Sequence, residues 1–521
     1  MSKTRFKTLE RKAYVKNGAV RLIFASISII LEVLWLYVLA TRLSAGAPWL
    51  NTAASLAALL VAVFIYGRHE NAAMKLMWMM LIISFPPLGV VLYLLTGLTG
   101  SSRAMRRRFA ETEKSLSFAL VQDGTVLTAA TATAPQAAGI PHYISHSAHF
   151  PLYDDSAVSF QPDAAQALEM LKQDLAHAEH FIFMEYYAIE DSAAFSEVRE
   201  ILRERAASGV EVRLFYDDIG SIFFINTDFV KRMEADGIRC RVFNPMLPVA
   251  NILMNNRDHR KITVIDGRIG YTGGYNLADE YFHLKQPYGR WKDSGVRIEG
   301  PAVRSLTDQF LVMWNAIRSR DKDDETVAQY FPDVPKRASC GFVQPYGDSP
   351  LDDENVGENV YMSLLNCAER LCWFTTPYLI ITDEMARAFV LAAKRGVDVR
   401  IVTPGIPDKK ITYRVTRSSY RQLARAGVRI YEYSPGFCHS KQCLCDDRMA
   451  VCGTINLDYR SLYHHFEDAV FMMDCPAVGD IRRDFEALFR ESREVTREYI
   501  ASPTPLVRLH ETLLRLIAPL L

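Results

Sequence analysis

One stretch of this chain is written twice. Gly209-Val-Glu-Val-Arg-Leu-Phe-Tyr-Asp-Asp-Ile-Gly220 returns as Gly396-Val-Asp-Val-Arg-Ile-Val-Thr-Pro-Gly-Ile-Pro407. Each follows an apolar helical stretch with paired alanines near its end, Ala206-Ala207 and Ala392-Ala393. Glu234–Phe243 likewise matches Ala424–Tyr433, and Phe181–Ile189 matches Leu371–Leu379. Helix, glycine, then a short β-branched strand is the pattern of helices packed on a largely buried sheet. Two copies predict an α/β fold made of two domains related by a pseudo-twofold axis, with a site where the halves meet.

Each copy then delivers the same polar set. The first is His259-Arg-Lys261-Ile-Thr-Val-Ile-Asp266, followed by Thr272-Gly273-Gly274-Tyr-Asn276. The second is His439-Ser-Lys441-Gln-Cys-Leu-Cys-Asp446, followed by Gly453-Thr454-Ile-Asn456. Alternate residues of a strand share a face, so His and Lys two apart project together. Lysine is a point charge suited to phosphate, and an asparagine amide can donate to a phosphate oxygen. The small residues before each Asn, Gly274 and Thr454 among them, would let backbone approach a ligand. Doubled about a twofold axis, two His, two Lys and two Asn surround one phosphate. One imidazole can attack phosphorus while the other protonates the leaving oxygen, and an ordinary histidine pKa lets one ring be neutral and the other charged. A single His-x-Lys would mean little; two at matching places in a repeat exclude chance. Asp266 and Asp446 read either as catalytic acids or, preferably, as structural partners of backbone or lysine.

Composition narrows the partners. Lys+Arg and Asp+Glu both number 60 in 521 residues, so the basic excess of a nucleic-acid binder is missing. Nine cysteines, all after residue 239 and without framework spacing, indicate free thiols in a reducing compartment. Cys438, Cys443, Cys445 and Cys452 near His439 could suggest zinc, but Cys443 and Cys445 alternate on the motif strand and read as core; no metal is expected. Hydrophobic residues are 49% and mean hydropathy is -0.00, which suits a short membrane portion on a larger soluble one. Apolar runs cover about Leu22–Ala40, Leu50–Tyr66 and Leu76–Leu95, the last expected as one helix kinked by Pro86 and Pro87. About 20 apolar residues cross a bilayer, so two to three transmembrane helices are expected in a multi-pass cell-membrane protein. Basic clusters before the first run and at Arg106–Arg108 both pull toward the cytoplasm; the thiols place the catalytic domains there too. Pro245–Met254 is an apolar insertion read as a membrane-dipping element. Leu506, Leu509, Leu513, Leu516 and Ile517 share one face of a C-terminal helix, either interfacial or docking.

The paired His-x-Lys-x4-Asp motifs resemble those of the phospholipase D superfamily, and the details resemble bacterial cardiolipin synthases. The likeness runs from about Lys75 onward through Trp78, Pro86-Pro-Leu-Gly89, Tyr93, Glu185-Tyr-Tyr187, Thr376-Pro-Tyr378 and Asn456-Leu-Asp-Tyr-Arg-Ser461. Together with the apolar runs it gives a basic tail with two to three transmembrane helices over 1–98 and a connector over 99–150. Phospholipase D-like domains would follow over 151–335 and 336–500, with an amphipathic helix over 501–521. It also implies ping-pong transfer: His259 takes the phosphatidyl group of one phosphatidylglycerol, His439 protonates the glycerol, and a second phosphatidylglycerol resolves the phosphohistidine to cardiolipin. No cofactor is implied, and a homo-oligomer is left open. An acid beyond each motif, Asp293 or Glu467, would hydrogen-bond a catalytic ring. Where such sequences often have Leu-Asn before that Phe-Glu, this chain has His464-His465. A phospholipase D-type lipid hydrolase, or a phosphatidyltransferase with another donor or acceptor, is the alternative. A nuclease would favour a basic cleft without anchors, and an idle lipid binder would carry a broken motif.

Overall fold

The two repeats become two sheets of matching strand order. The computed structural model describes residues 48–68, 71–94, 100–226, 228–245, 256–317, 323, 326–337 and 341–520, with scattered positions between 23 and 42. The first repeat carries β1 (Ala157–Gln161), β2 (Phe181–Tyr186), β3 (Glu211–Asp217), β4 (Arg239–Phe243), β5 (Arg257–Asp258), β6 (Lys261–Ile265), β7 (Ile269–Gly273), β8 (Arg290–Lys292) and β9 (Gly295–Glu299). The second carries β10 (Phe342–Asp348), β11 (Leu371–Thr375), β12 (Leu379–Ile380), β13 (Asp398–Pro404), β14 (Arg429–Tyr433), β15 (Gly436–Cys438), β16 (Gln442–Cys445), β17 (Met449–Gly453), β18 (Leu457–Asp458), β19 (His465–Met473) and β20 (Ser492–Glu494). The first sheet runs β1-β9-β7-β6-β2-β3-β4 and the second β10-β19-β17-β16-β11-β13-β14-β20. Without β20 the two orders correspond strand for strand. In each, the repeated Gly-Val segments supply the parallel strands, and the motif strands β6 and β16 lie antiparallel beside β2 and β11.

The crossover helices form where the sequence period changes from two to about 3.6. Asp383–Lys394 opens at Thr382, whose hydroxyl accepts from Met385 N at 3.1 Å. It buries Met385, Phe389 and Ala392, and burial of the Phe389 ring alone contributes about 1.5–3 kcal/mol. Gly396, at φ 93°, ends it in the left-handed conformation, as Gly209 at the same φ ends Ala193–Ala207. This is why both copies place a glycine between helix and strand. Helix Val303–Ala316 is buried along nearly its whole length, against β2, β6 and β7 of the first sheet and β10 of the second. Both sheets lie in one compact unit made of Arg107–Ser221, Thr227–Phe243 and Arg257–Leu521.

The other unit contains the N-terminal helices. Pro48–Tyr66 packs with Ala72–Ser84 and Pro86–Leu92 around Ala58, Ile65, Ile82 and Tyr93. A Cβ on Gly89 would come within 2.6 Å of Ile82 Cα, so only glycine allows this approach. The third apolar run, expected as one kinked span, is instead two helices parted at Phe85, before the two prolines that lack backbone donors. Among the described residues no helix is long and apolar enough to cross a membrane. The first run, apart from scattered positions, and the insertion after Pro245 lie outside the described residues.

Candidate active site

Two very short strands carry each half to the other. β5, immediately before His259, pairs in parallel with the start of β19 in the second sheet. β15, immediately before His439, pairs in parallel with β8 of the first repeat. The ladders continue one residue further: His259 N donates to Phe466 O at 2.9 Å, and His439 N donates to Lys292 O at 2.7 Å. The residue after each accepting carbonyl is an acid, so the rings meet carboxylates across the halves. His259 Nδ1 lies 2.9 Å from both oxygens of Glu467, and His439 Nδ1 lies 2.6 Å from Asp293 Oδ2. The acids expected beside catalytic rings are therefore there, but exchanged: each histidine is held by the acid of the other copy. The carboxylate fixes Nδ1 as the protonated nitrogen and leaves Nε2 for chemistry.

Lys261 and Lys441 follow their histidines on the same strand face, and each ammonium donates to the carbonyl of its own histidine. Lys441 Nζ also lies 3.1 Å from His439 Nε2. All four side chains are buried. Burial, then the charges of Lys261 and Lys441, hold His259 well below the usual histidine range. Burial and Lys441 take His439 down to about 4 against the pull of Asp293. Burial also takes Lys261 down to about 7 and Lys441 to about 8. For Asp293, burial works upward, but Lys441 and His439 outweigh it and leave the carboxyl below its usual range. The expectation of one neutral and one charged ring thus gives way to two neutral rings. The first reason is burial, which disfavours the charged ring, and the charges of Lys261 and Lys441 add to it.

Other expected residues are placed differently. Asp266 and Asp446 sit at the far ends of the motif strands, at φ 52° and 51°. Asp266 accepts from the backbone N–H groups of Glu179, His180 and Phe181, and Asp446 from those of Glu369, Arg370 and Leu371. Both tie the start of the neighbouring strand, so the catalytic-acid reading is corrected to the structural one. Asn276 uses both ends of its amide, accepting from Ala188 N and donating to Tyr281 Oη at 2.7 Å, which takes up one of its two amide N–H donors. Asn456 keeps a buried Oδ1 without a partner. Gly274 makes room for the carboxylate rather than for a ligand: a Cβ there would lie 2.0 Å from Asp293 Oδ1. Thr454, its counterpart, donates its hydroxyl to Glu467. Cys438, Cys443, Cys445 and Cys452 are buried in the strands.

Several neighbours were given no role from the sequence. Tyr187 sets its ring edge-on to His259 at 5.0 Å, while Tyr281, Trp291 and Phe437 surround His439. Tyr187 lies within a motif already noted, but nothing in its spacing marked which ring it faces. His465 packs 5.5 Å from His259, with Arg460 Nε 3.4 Å from its Nε2. Ligand atoms of His259, His465 and Glu467 lie within 4.8 Å of one another, close enough to hold a metal ion.

Comparison with known proteins agrees with this arrangement. Residues 171–314 and 361–489 match the family described as cardiolipin synthase, PLD-like domain, and residues 53–97 match phospholipase D-nuclease N-terminal. A Streptococcus mutans protein named only as uncharacterized is 39% identical, covering 88% of this chain and 99% of its own. A cardiolipin synthase of Halalkalibacterium halodurans is 30% identical, covering 88% of this chain and 91% of its own. Cardiolipin synthase 1 of Staphylococcus aureus is also 30% identical, at 88% and 94% coverage. Among solved structures, phosphatidylserine synthase of Haemophilus influenzae shares the fold at a TM-score of 0.56 and 13% identity, over 74% of this chain and 100% of that one. The chain belongs to the cardiolipin synthase family of phospholipase D-like proteins.

Proposed function

We infer that this chain is a phosphatidyltransferase, a cardiolipin synthase that joins two phosphatidylglycerol molecules and releases glycerol. The observation that carries the reading is the pair of crossed histidine–acid contacts with two buried lysines in one site. Lys261 and Lys441 hold the phosphodiester by charge. His259, neutral and oriented by Glu467, attacks phosphorus through Nε2; a P–N bond forms as the P–O bond to glycerol breaks. The negative charge of the substrate offsets the lysines, so His439 takes up a proton on binding and passes it to the departing glycerol oxygen. Neutral again, His439 accepts the proton of a hydroxyl on the second phosphatidylglycerol. That oxygen attacks phosphorus, the P–N bond breaks, and His259 is restored. Transfer to water instead would give phosphatidic acid.

The N-terminal unit supports attachment to the membrane that holds these lipids. Leu56, Leu59, Leu60, Val63, Phe64, Leu76, Met80 and Ile83 are exposed on helices whose inner faces are also apolar, a composition suited to lipid on the outside. In this reading the catalytic unit works at the cytoplasmic face. Mass analysis of products from the purified chain in phosphatidylglycerol vesicles with EDTA tests the function. Cardiolipin and glycerol in equal amounts are expected. Phosphatidic acid as the main product would make it a lipid hydrolase, and activity that EDTA abolishes and zinc restores would make it a metal enzyme.

A further inference from the structure

The C-terminal helix Pro505–Ile517 is fastened to the catalytic unit by polar contacts and turns its apolar side away from it. Leu506, Leu509, Leu513 and Leu516 follow the spacing of one helical stripe and are 76%, 57%, 56% and 47% exposed. The half-buried positions are Glu511 and Leu514 on the other side. Glu511, the helix's single acid, receives Arg421 at 3.2 Å, and Arg515 pairs with Asp383 at 3.3 Å. A helix that docked through its hydrophobic face would bury the leucines; this one exposes them and turns its acid, Glu511, toward the catalytic unit.

Its location gives the exposed stripe a purpose. The helix packs on Lys410–Arg425, and the short turn that follows it, Ala518–Leu520, packs on Tyr459–Tyr463. Both supporting elements border the site. Lys409, at the head of the first, is among the charges that lower His259, and Arg460 of the second reaches His465. Lys409, Lys410 and Arg414 are exposed there, beside exposed Ile406 and Ile411. Arg508 is exposed on the helix itself. An exposed leucine stripe with Arg508 beside it, on a helix packed against the element that carries exposed Ile411, Lys409, Lys410 and Arg414, matches an anionic bilayer surface in both polarity and charge.

We propose that the C-terminal helix lies in the headgroup region of an anionic membrane and holds the mouth of the catalytic unit against it, so that lipid reaches the site from the bilayer. This rests on the lipid-transfer reading above, but its test does not depend on turnover. The full chain is placed in vesicles of equal parts phosphatidylglycerol and phosphatidylcholine. A nitroxide is attached through Leu509→Cys, Leu513→Cys, Arg508→Cys or Thr512→Cys, one at a time, with the unsubstituted chain as blank. Labels at 509 and 513 should be relaxed more by oxygen than by a water-soluble nickel complex, with the order reversed at 508 and 512. Water-like behaviour at all four would overturn the proposal. So would dipolar broadening between labels at 509 that disappears on dilution with unlabelled chain, because it would make a second copy the occupant. The double variant Leu509→Glu/Leu513→Glu supplies the functional arm. It should lose about tenfold or more of turnover on vesicles while keeping turnover on short-chain phosphatidylglycerol dispersed as monomers. Equal loss on both substrates would mean a folding defect rather than lost docking. If the labels lie in the membrane but no cardiolipin forms, the transfer reading falls and the docking stands.

Discussion

Glu467 and Asp293 each serve a histidine that the linear sequence places in the other copy, and this exchange has consequences that can be measured residue by residue. An acid that orients a ring and steadies its charged form supplies about 10²–10⁴-fold in comparable catalytic pairs. Glu467→Gln should therefore fail in the same step as His259→Ala, and Asp293→Asn in the same step as His439→Ala. Pre-steady-state kinetics that grouped each acid with the histidine of its own copy would contradict the crossed geometry. The lysines set a second signature. A lysine holds phosphate only when charged, below its pKa, and burial brings Lys261 to about 7 and Lys441 to about 8. Anion capture is thus fully present at lower pH and lost as pH rises through these values. Because kcat/KM reports the free enzyme, it should decline from about pH 7–8 upward. kcat should hold to higher pH, since bound phosphate raises both lysines. A kcat/KM flat across that range would show that the lysines stay charged without substrate.

At the level of elements, the motif aspartates act on strands rather than on phosphate. Asp266 gathers three backbone N–H groups at the head of β2 while itself in a left-handed conformation. Asp266→Ala should cost about 2–4 kcal/mol of stability and leave the turnover of the folded fraction within about twofold. Normal thermal unfolding combined with a hundredfold loss of turnover would return Asp266 to the chemistry. The duplicated segments made the sheets legible, because alternation and a glycine after each helix leave little choice of element. His259 beside Lys261, and His439 beside Lys441, were legible for the same reason. The exchange of acids was not, since it depends on β5 and β15, segments of two and three residues that carry no periodic signal. Gly274 and Thr454 misled similarly: smallness before an asparagine signalled a ligand, whereas the space belongs to Asp293 and the hydroxyl to Glu467. Pro86 and Pro87 were read as a kink, and the missing backbone donors end the helix instead.

For the whole molecule, duplication explains why one site has two of everything and yet can divide its labour. Both rings are buried and held toward the neutral form, and each is fixed by a carboxylate; in the proposed reaction the charge of the bound phosphate makes one of them basic enough to carry a proton. The central claim is that the phosphatidyl group passes through one histidine while the other moves the proton. p-Nitrophenolate leaves without an acid, whereas a glycerol alkoxide does not. A phosphatidyl p-nitrophenyl ester given to His439→Ala should therefore release one burst of p-nitrophenol and leave lipid bonded to His259, as read by mass spectrometry of the peptide. His259→Ala should do neither. Trapped lipid on His439 in the His259→Ala variant would reverse the roles, and no burst from either variant would contradict the covalent route itself.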